Sequence, residues 1–152
     1  MATSIDDVLQ IADPTQFSIA LSELVAQSPR GFAESRAAER IVWCVSALEA
    51  EVNNGGFSLF FMNSAGDLAT ETVDALARIG AHKTVALLKE AMAVFPAPGP
   101  SAARGSRETQ LEALPPTAQA TWDRLDQAFF AYPDDLPSLM RAFVKAHAAD
   151  FR

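Results

Sequence analysis

Apolar residues recur at helical spacing along almost the whole chain. Ser4 is placed to cap a short first turn carrying Ile5, Val8, Leu9 and Ala12. Asp13-Pro14 reads as an N-cap followed by proline at the first helical position. Phe17, Leu21 and Leu24 continue that pattern, which predicts a helix over about 14–28, ended by Pro29-Arg30-Gly31. The next stripe is Ile41, Val45, Leu48 and Val52, with Ala37, Ala38 and Cys44 beside it, and it predicts a helix over about 33–52. Asn53-Asn54-Gly55-Gly56 is expected to stop this helix, because Asn and Gly tolerate the left-handed backbone of C-terminal caps. Phe57 to Asn63 leaves room for a helical turn or two. Phe57, Phe60 and Phe61 should anchor the bend in the core, with Asn63 bonding to the backbone of the same junction.

Beyond the junction, Leu68, Leu76 and Ile79 predict a helix over 65–79, with Asp67, Glu71 and Asp74 aligned on its opposite side. Val85, Leu88, Met92 and Phe95 predict another over 82–95. Residues 96–106, PAPGPSAARGS, read as an exposed loop. Pro115-Pro116 open a helix running to about 131, on which Trp122, Leu125 and Phe129 align. Asp134 or Asp135 caps the last helix, to about 149, with Leu136, Met140, Phe143 and His147 on one face. No segment alternates like a strand and no repeat is visible. The expectation is one all-α compact domain of six or seven helices over residues 1–152.

Composition narrows the class. A chain of 152 residues that is 49% hydrophobic can bury one sizeable core and is not a disordered segment. A single cysteine, Cys44, allows no intrachain disulfide and fits a reducing compartment. The start MATSIDDVLQ lacks the basic region and apolar run of a signal peptide, and no later segment approaches the ~20 apolar residues of a membrane span. A cytoplasmic location is the expectation. Ten Phe and two Trp exceed what one small core needs, which is compatible with a homodimer.

Charge is uneven. Residues 1–77 carry eleven acids against Arg30, Arg36 and Arg40, a net of −8, whereas residues 78–152 carry eight acids and nine bases. The first half would repel phosphates, so direct nucleic-acid binding is disfavoured there, and a basic protein partner is the reading the asymmetry permits. The plainer alternative is a solubilising acidic surface.

Catalytic and metal-binding patterns are scarce. His82 and His147 stand in separate helices with no second ligand at i+3 or i+4, and Asp134-Asp135 lack a following calcium loop. Neither a metal nor a cofactor is expected. Cys44 falls in the apolar run IVWCVSAL, where a thiol behaves as a small hydrophobe. Glu49 and Glu51 would be a carboxylate pair of glycosidase type, but two residues apart on a helix they point about 200° from one another. Asn53 to Gly56 would offer N–H groups to an anion, yet no Lys or Arg lies between Arg40 and Arg78. Asp67, Glu71 and Asp74, at i, i+4 and i+7, would form a negative ridge about two turns long. The competing reading is a solvated face, with Arg78 pairing Asp74.

The block E-V-N-N-G-G-F-x-x-F-F-x-N, Glu51 to Asn63, resembles the signature of the bacterial family typified by DNA mimic protein 19. Ala75-Leu76, Ile79-Gly80-Ala81, Leu88, Ala91, Phe95-Pro96, Trp122 and Leu125 agree with it, so the resemblance spans roughly residues 35–145. Leu59 departs from it, standing where the family pattern is polar, often Gln. The resemblance implies an all-helical fold, no cofactor, no established reaction, and an acidic dimer that occupies the DNA-binding surface of a transcription regulator. The resulting expectation is a non-enzymatic acidic interaction domain. Its Asp67, Glu71 and Asp74, with Glu49 and Glu51 nearby, would meet Lys or Arg on a basic or DNA-binding protein. Asn53, Asn54, Gly55, Gly56, Phe57, Phe60, Phe61 and Asn63 would serve structure. The alternatives are an immunity-type or other protein-binding module, and a hydrolase using Glu49 and Glu51.

Overall fold

The computed structural model describes residues 4–32 and 34–152. Among them are eight α-helices and no strand: α1 (Ile5–Leu9), α2 (Pro14–Ala26), α3 (Ala37–Met62), α4 (Ala69–Arg78), α5 (His82–Met92), α6 (Arg104–Glu112), α7 (Thr117–Phe130) and α8 (Leu136–Ala146). Short 3-10 turns occupy Ser64–Leu68 and Ala148–Phe151. The expected start of the third helix, residue 33, lies outside the described residues. So do residues 1–3 of the expected domain.

Local chemistry sets the helix starts. The Ser4 hydroxyl accepts from the Asp7 N–H, and the Asp13 carboxylate accepts from the Gln16 N–H with Pro14 behind it. Asp135 caps α8 through the Ser138 N–H, whereas Asp134 reaches back to α5 and accepts from both the N–H and hydroxyl of Thr84. Asp134 therefore ties the turn before α8 to the start of α5.

α3 runs through the centre and packs on α2, α4 and α7. Its Val42, Val45, Leu48 and Val52 are buried, and Cys44 is buried beside them. Burial pushes the Cys44 thiol up to about 11, so it stays protonated and behaves as packing. Phe61 lies at the meeting point of the helices, 5.3 Å from the Trp122 ring, 5.0 Å from Phe95 and 5.1 Å from Phe60. His147 stacks on Phe143 at 4.4 Å, a partly buried packing histidine.

Three expectations need correction. The fold has one helix more than the six or seven expected: α6 occupies the end of the supposed 96–106 loop and the stretch after it. Its inward position is held by Arg107, so no apolar stripe announces it. The Asn-Asn-Gly-Gly stretch does stop the first segment of α3, as expected, and a second helical segment follows it directly. Asn53 and Asn54 stay helical, Gly55 and Gly56 leave helical geometry, and helix resumes at Phe57 because Phe57, Phe60 and Phe61 are all fully buried. Burial of each contributes about 2–3 kcal/mol, enough to hold the second segment down. Asn63 meets the junction backbone only through its own N–H, which donates to Leu59 O at 3.1 Å, while its side-chain amide donates to Glu51 Oε2 at 2.9 Å. Finally, the aromatic residues do not overflow the core. Phe130 is the one exposed Phe or Trp among the described residues, which removes the aromatic argument for a dimer.

Candidate functional site

The two halves of the α3 bend are held by charged groups from distant helices. Gly56 has φ 76° and ψ −175°, and its missing side chain admits the Asp126 carboxylate from α7. That carboxylate accepts from the Phe57 N–H at 2.8 Å and so caps the resumed helix. At the other end, Arg107 is completely buried. Its Nε donates to Phe61 O (2.6 Å), Nη1 to Ser101 O (2.8 Å) and Nη2 to Asn63 O (2.8 Å), and Nη2 also lies 2.9 Å from Asp67 Oδ1. Arg104 Nε covers Met62 O at 3.1 Å. The signature stretch is thus a short aromatic helix capped by a carboxylate in front and a guanidinium behind.

This arrangement breaks up the expected acidic ridge. Asp67 lies in the 3-10 turn before α4, not on the helix, and its charge is matched by Arg107. Glu71 pairs with Arg40 at 2.7 Å, and the Arg40 guanidinium also lies over the Phe32 ring. Asp74 alone of the three is exposed with no ion pair among the described residues, and Arg78 does not reach it within 4 Å. Glu71, Asp74, Arg40 and Arg78 line a shallow mixed-charge cleft of about 250 Å³ between α3 and α4. Three bare carboxylates in a row do not exist.

Glu49 and Glu51 are likewise held apart. Glu51 points to Asn63, whereas Glu49 faces α2 and accepts from the Tyr132 hydroxyl at 2.8 Å. No shared substrate site links them. Glu49 lies instead in a groove of about 460 Å³ between α2, α3 and the turn from α7 to α8. Asn53 Nδ2 donates to the Tyr132 oxygen at 2.8 Å, which commits the hydroxyl hydrogen to Glu49. Tyr132 itself sits at φ 48°, a left-handed conformation that costs a side-chain-bearing residue about 1–2 kcal/mol. Sequence reading missed Tyr132. The available cue was its place just after a helix end, where glycine is usual.

Burial raises the Glu49 carboxyl above its ordinary value, partly opposed by the Tyr132 bond. A raised carboxyl binds its proton more tightly in the folded chain than in the unfolded one. Glu49 therefore costs stability above its folded pKa, and that cost disappears as pH falls toward 4.5, the ordinary value. Glu49→Gln should accordingly become more favourable relative to the parent as pH rises from 4.5 to 7.5. Urea unfolding of both proteins across that range checks it, and a constant difference would contradict it.

Among the described residues no group of three His, Cys, Asp or Glu side chains is placed to hold a metal ion, and no helix is long and apolar enough to cross a membrane. No curated protein and no solved structure matches the chain. A family model does: the DMP19-like protein model matches residues 34–147, which take in the bent α3 and both of its caps, whereas the α2 wall of the Glu49 groove lies outside the match. On that match over three-quarters of its length, the chain belongs to the DMP19-like protein family.

Proposed function

We propose that this domain is a non-enzymatic binding protein whose carboxylates engage the basic surface of a DNA-binding protein, such as a transcription regulator, in place of DNA. The carrying observation is the acid excess that remains after folding. Internal arginines match Asp6, Glu39, Asp67 and Glu71 of the first half. Asp13, Glu23, Glu34 and Asp74 remain exposed without an ion pair among the described residues. Membership of a family named for a DNA mimic supports the same reading. In it, Asp74 is the direct contact from the expected ridge, while Asp67 and Glu71 act mainly by fixing the fold beside it.

Exposed charges act through a field that salt screens beyond about 8–10 Å. A partner retained at low salt should therefore be released as salt rises, and duplex DNA should displace this domain from it. The combined variant Glu23→Gln, Glu34→Gln, Asp74→Asn should bind roughly 3- to 10-fold more weakly, since each rim charge contributes a few tenths of a kcal/mol. Competition binding at two salt concentrations measures both. Retention of only non-basic proteins, or a partner that DNA does not displace, would count against the mimic reading.

A further inference from the structure

The Glu49 groove has a chemistry that the partner reading leaves unused. Its one carboxylate faces no Lys, Arg or His in the lining. One of its oxygens is taken by Tyr132, and the other accepts no hydrogen bond from the described residues. Hydroxyls of Ser18 and Ser46 stand around it, and the rim is apolar, with Ile19 exposed at 47% and Pro137 opposite. A strained Tyr132 and Asn53 fix the carboxylate's direction, so the acceptor is held in place before any ligand arrives.

We propose that this groove receives the side chain of a lysine presented by the partner protein, its ammonium group meeting Glu49 and its aliphatic stem lying along Ile19. The inference rests on the partner reading above and names one anchor within it. Lysine fits better than arginine, because a guanidinium fork needs both carboxylate oxygens and one is already occupied. An ammonium is a point charge with three donors, which one carboxylate oxygen and neighbouring hydroxyls can satisfy. A groove of about 460 Å³ has room for the whole side chain.

The test is an amide NMR titration of the full chain with acetyl-Gly-Lys-Gly-amide, with the norleucine and arginine peptides as comparisons. Saturable shifts are expected at Ser18, Ile19, Ala50, Asn53 and Tyr132 with the lysine peptide. Glu49→Gln should weaken them about tenfold, the worth of one charge-assisted hydrogen bond. Ala50 lies on the groove and is exposed, so Ala50→Lys leaves the fold intact and should fill the site with its own ammonium. Equal response to norleucine, tighter binding of the arginine peptide, or unchanged binding by both variants would each overturn the assignment. A DNA-displaced partner with no lysine response in the groove would overturn this anchor alone. A lysine response with no such partner would overturn the partner as its source.

Discussion

Replacing Arg107 with methionine is expected to lower the unfolding free energy by about 3–5 kcal/mol, a third or more of what a typical domain possesses. Two effects compete at this position. Removing a buried charge relieves its desolvation cost, and methionine would pack well, so a simple ion-pair swap is often neutral. Here, however, the acceptors stay behind. The carbonyls of Phe61 and Ser101 would lose their Arg107 donor, Asn63 O would keep only the Gly66 N–H, and Asp67 would lose its counter-ion. Unsatisfied buried acceptors cost about 1–3 kcal/mol each, which decides the sign. Gly66 tightens the constraint, because a Cβ there would lie 2.8 Å from Phe60 O and 2.9 Å from Arg107 Nε. Arg107→Lys should be intermediate, keeping charge but not the fork. Asp67→Asn should cost within about 1 kcal/mol, since Asp67 is 39% exposed and solvent takes over. The readout is the urea midpoint at constant slope. An Arg107→Met protein as stable as Asp67→Asn would show that the carbonyl caps contribute nothing.

That hub also marks where sequence reading ends. Helices whose inward positions are apolar were legible from spacing alone: Phe17 and Leu21 of α2, Val45 and Leu48 of α3, Trp122 and Phe129 of α7 are all buried where their stripes place them. α6 was not legible. Its inward residues are Arg107 and a half-buried Leu111, and a charged residue at a core position carries no apolar signal. The acids failed for a related reason. Helical spacing says which carboxylates share a face, but not which cations fold back onto them from elsewhere. Arg40 is 31 residues from Glu71, and Arg107 reaches the turn of Asp67 from another helix. Tyr132 likewise meets Glu49 across 83 residues. Sequence reading could name the charged side chains but not which charge each was matched against.

Gly56→Ala is the second large effect expected, at about 3–5 kcal/mol, and it tests why the signature needs its second glycine. At φ 76° and ψ −175° the backbone occupies a region open essentially to glycine alone, which accounts for roughly 1–3 kcal/mol. The rest comes from Asp126, whose carboxylate fills the place of the missing Cβ. Pushing it away leaves the buried Phe57 N–H without its acceptor, for about 1–3 kcal/mol more. Two comparisons separate these terms. Gly80→Ala, at φ 85° with nothing within 4 Å of the new Cβ, carries only the backbone cost. Gly55→Ala, at φ −159°, carries no left-handed backbone cost, but its Cβ would lie 2.8 Å from Leu59 Cδ2 and 2.9 Å from Leu59 Cβ, and the latter cannot rotate aside. Gly80→Ala should be milder than Gly56→Ala, and Gly55→Ala should be a steric loss that leaves the Asp126 cap in place. In a double-mutant cycle with Asp126→Ala, the two losses should fall short of additive, because either change alone already removes the Phe57 cap. Strict additivity would mean that the glycine serves the backbone angle only. The carboxylate on α7 would then be no part of the reason that the bend sits where it does.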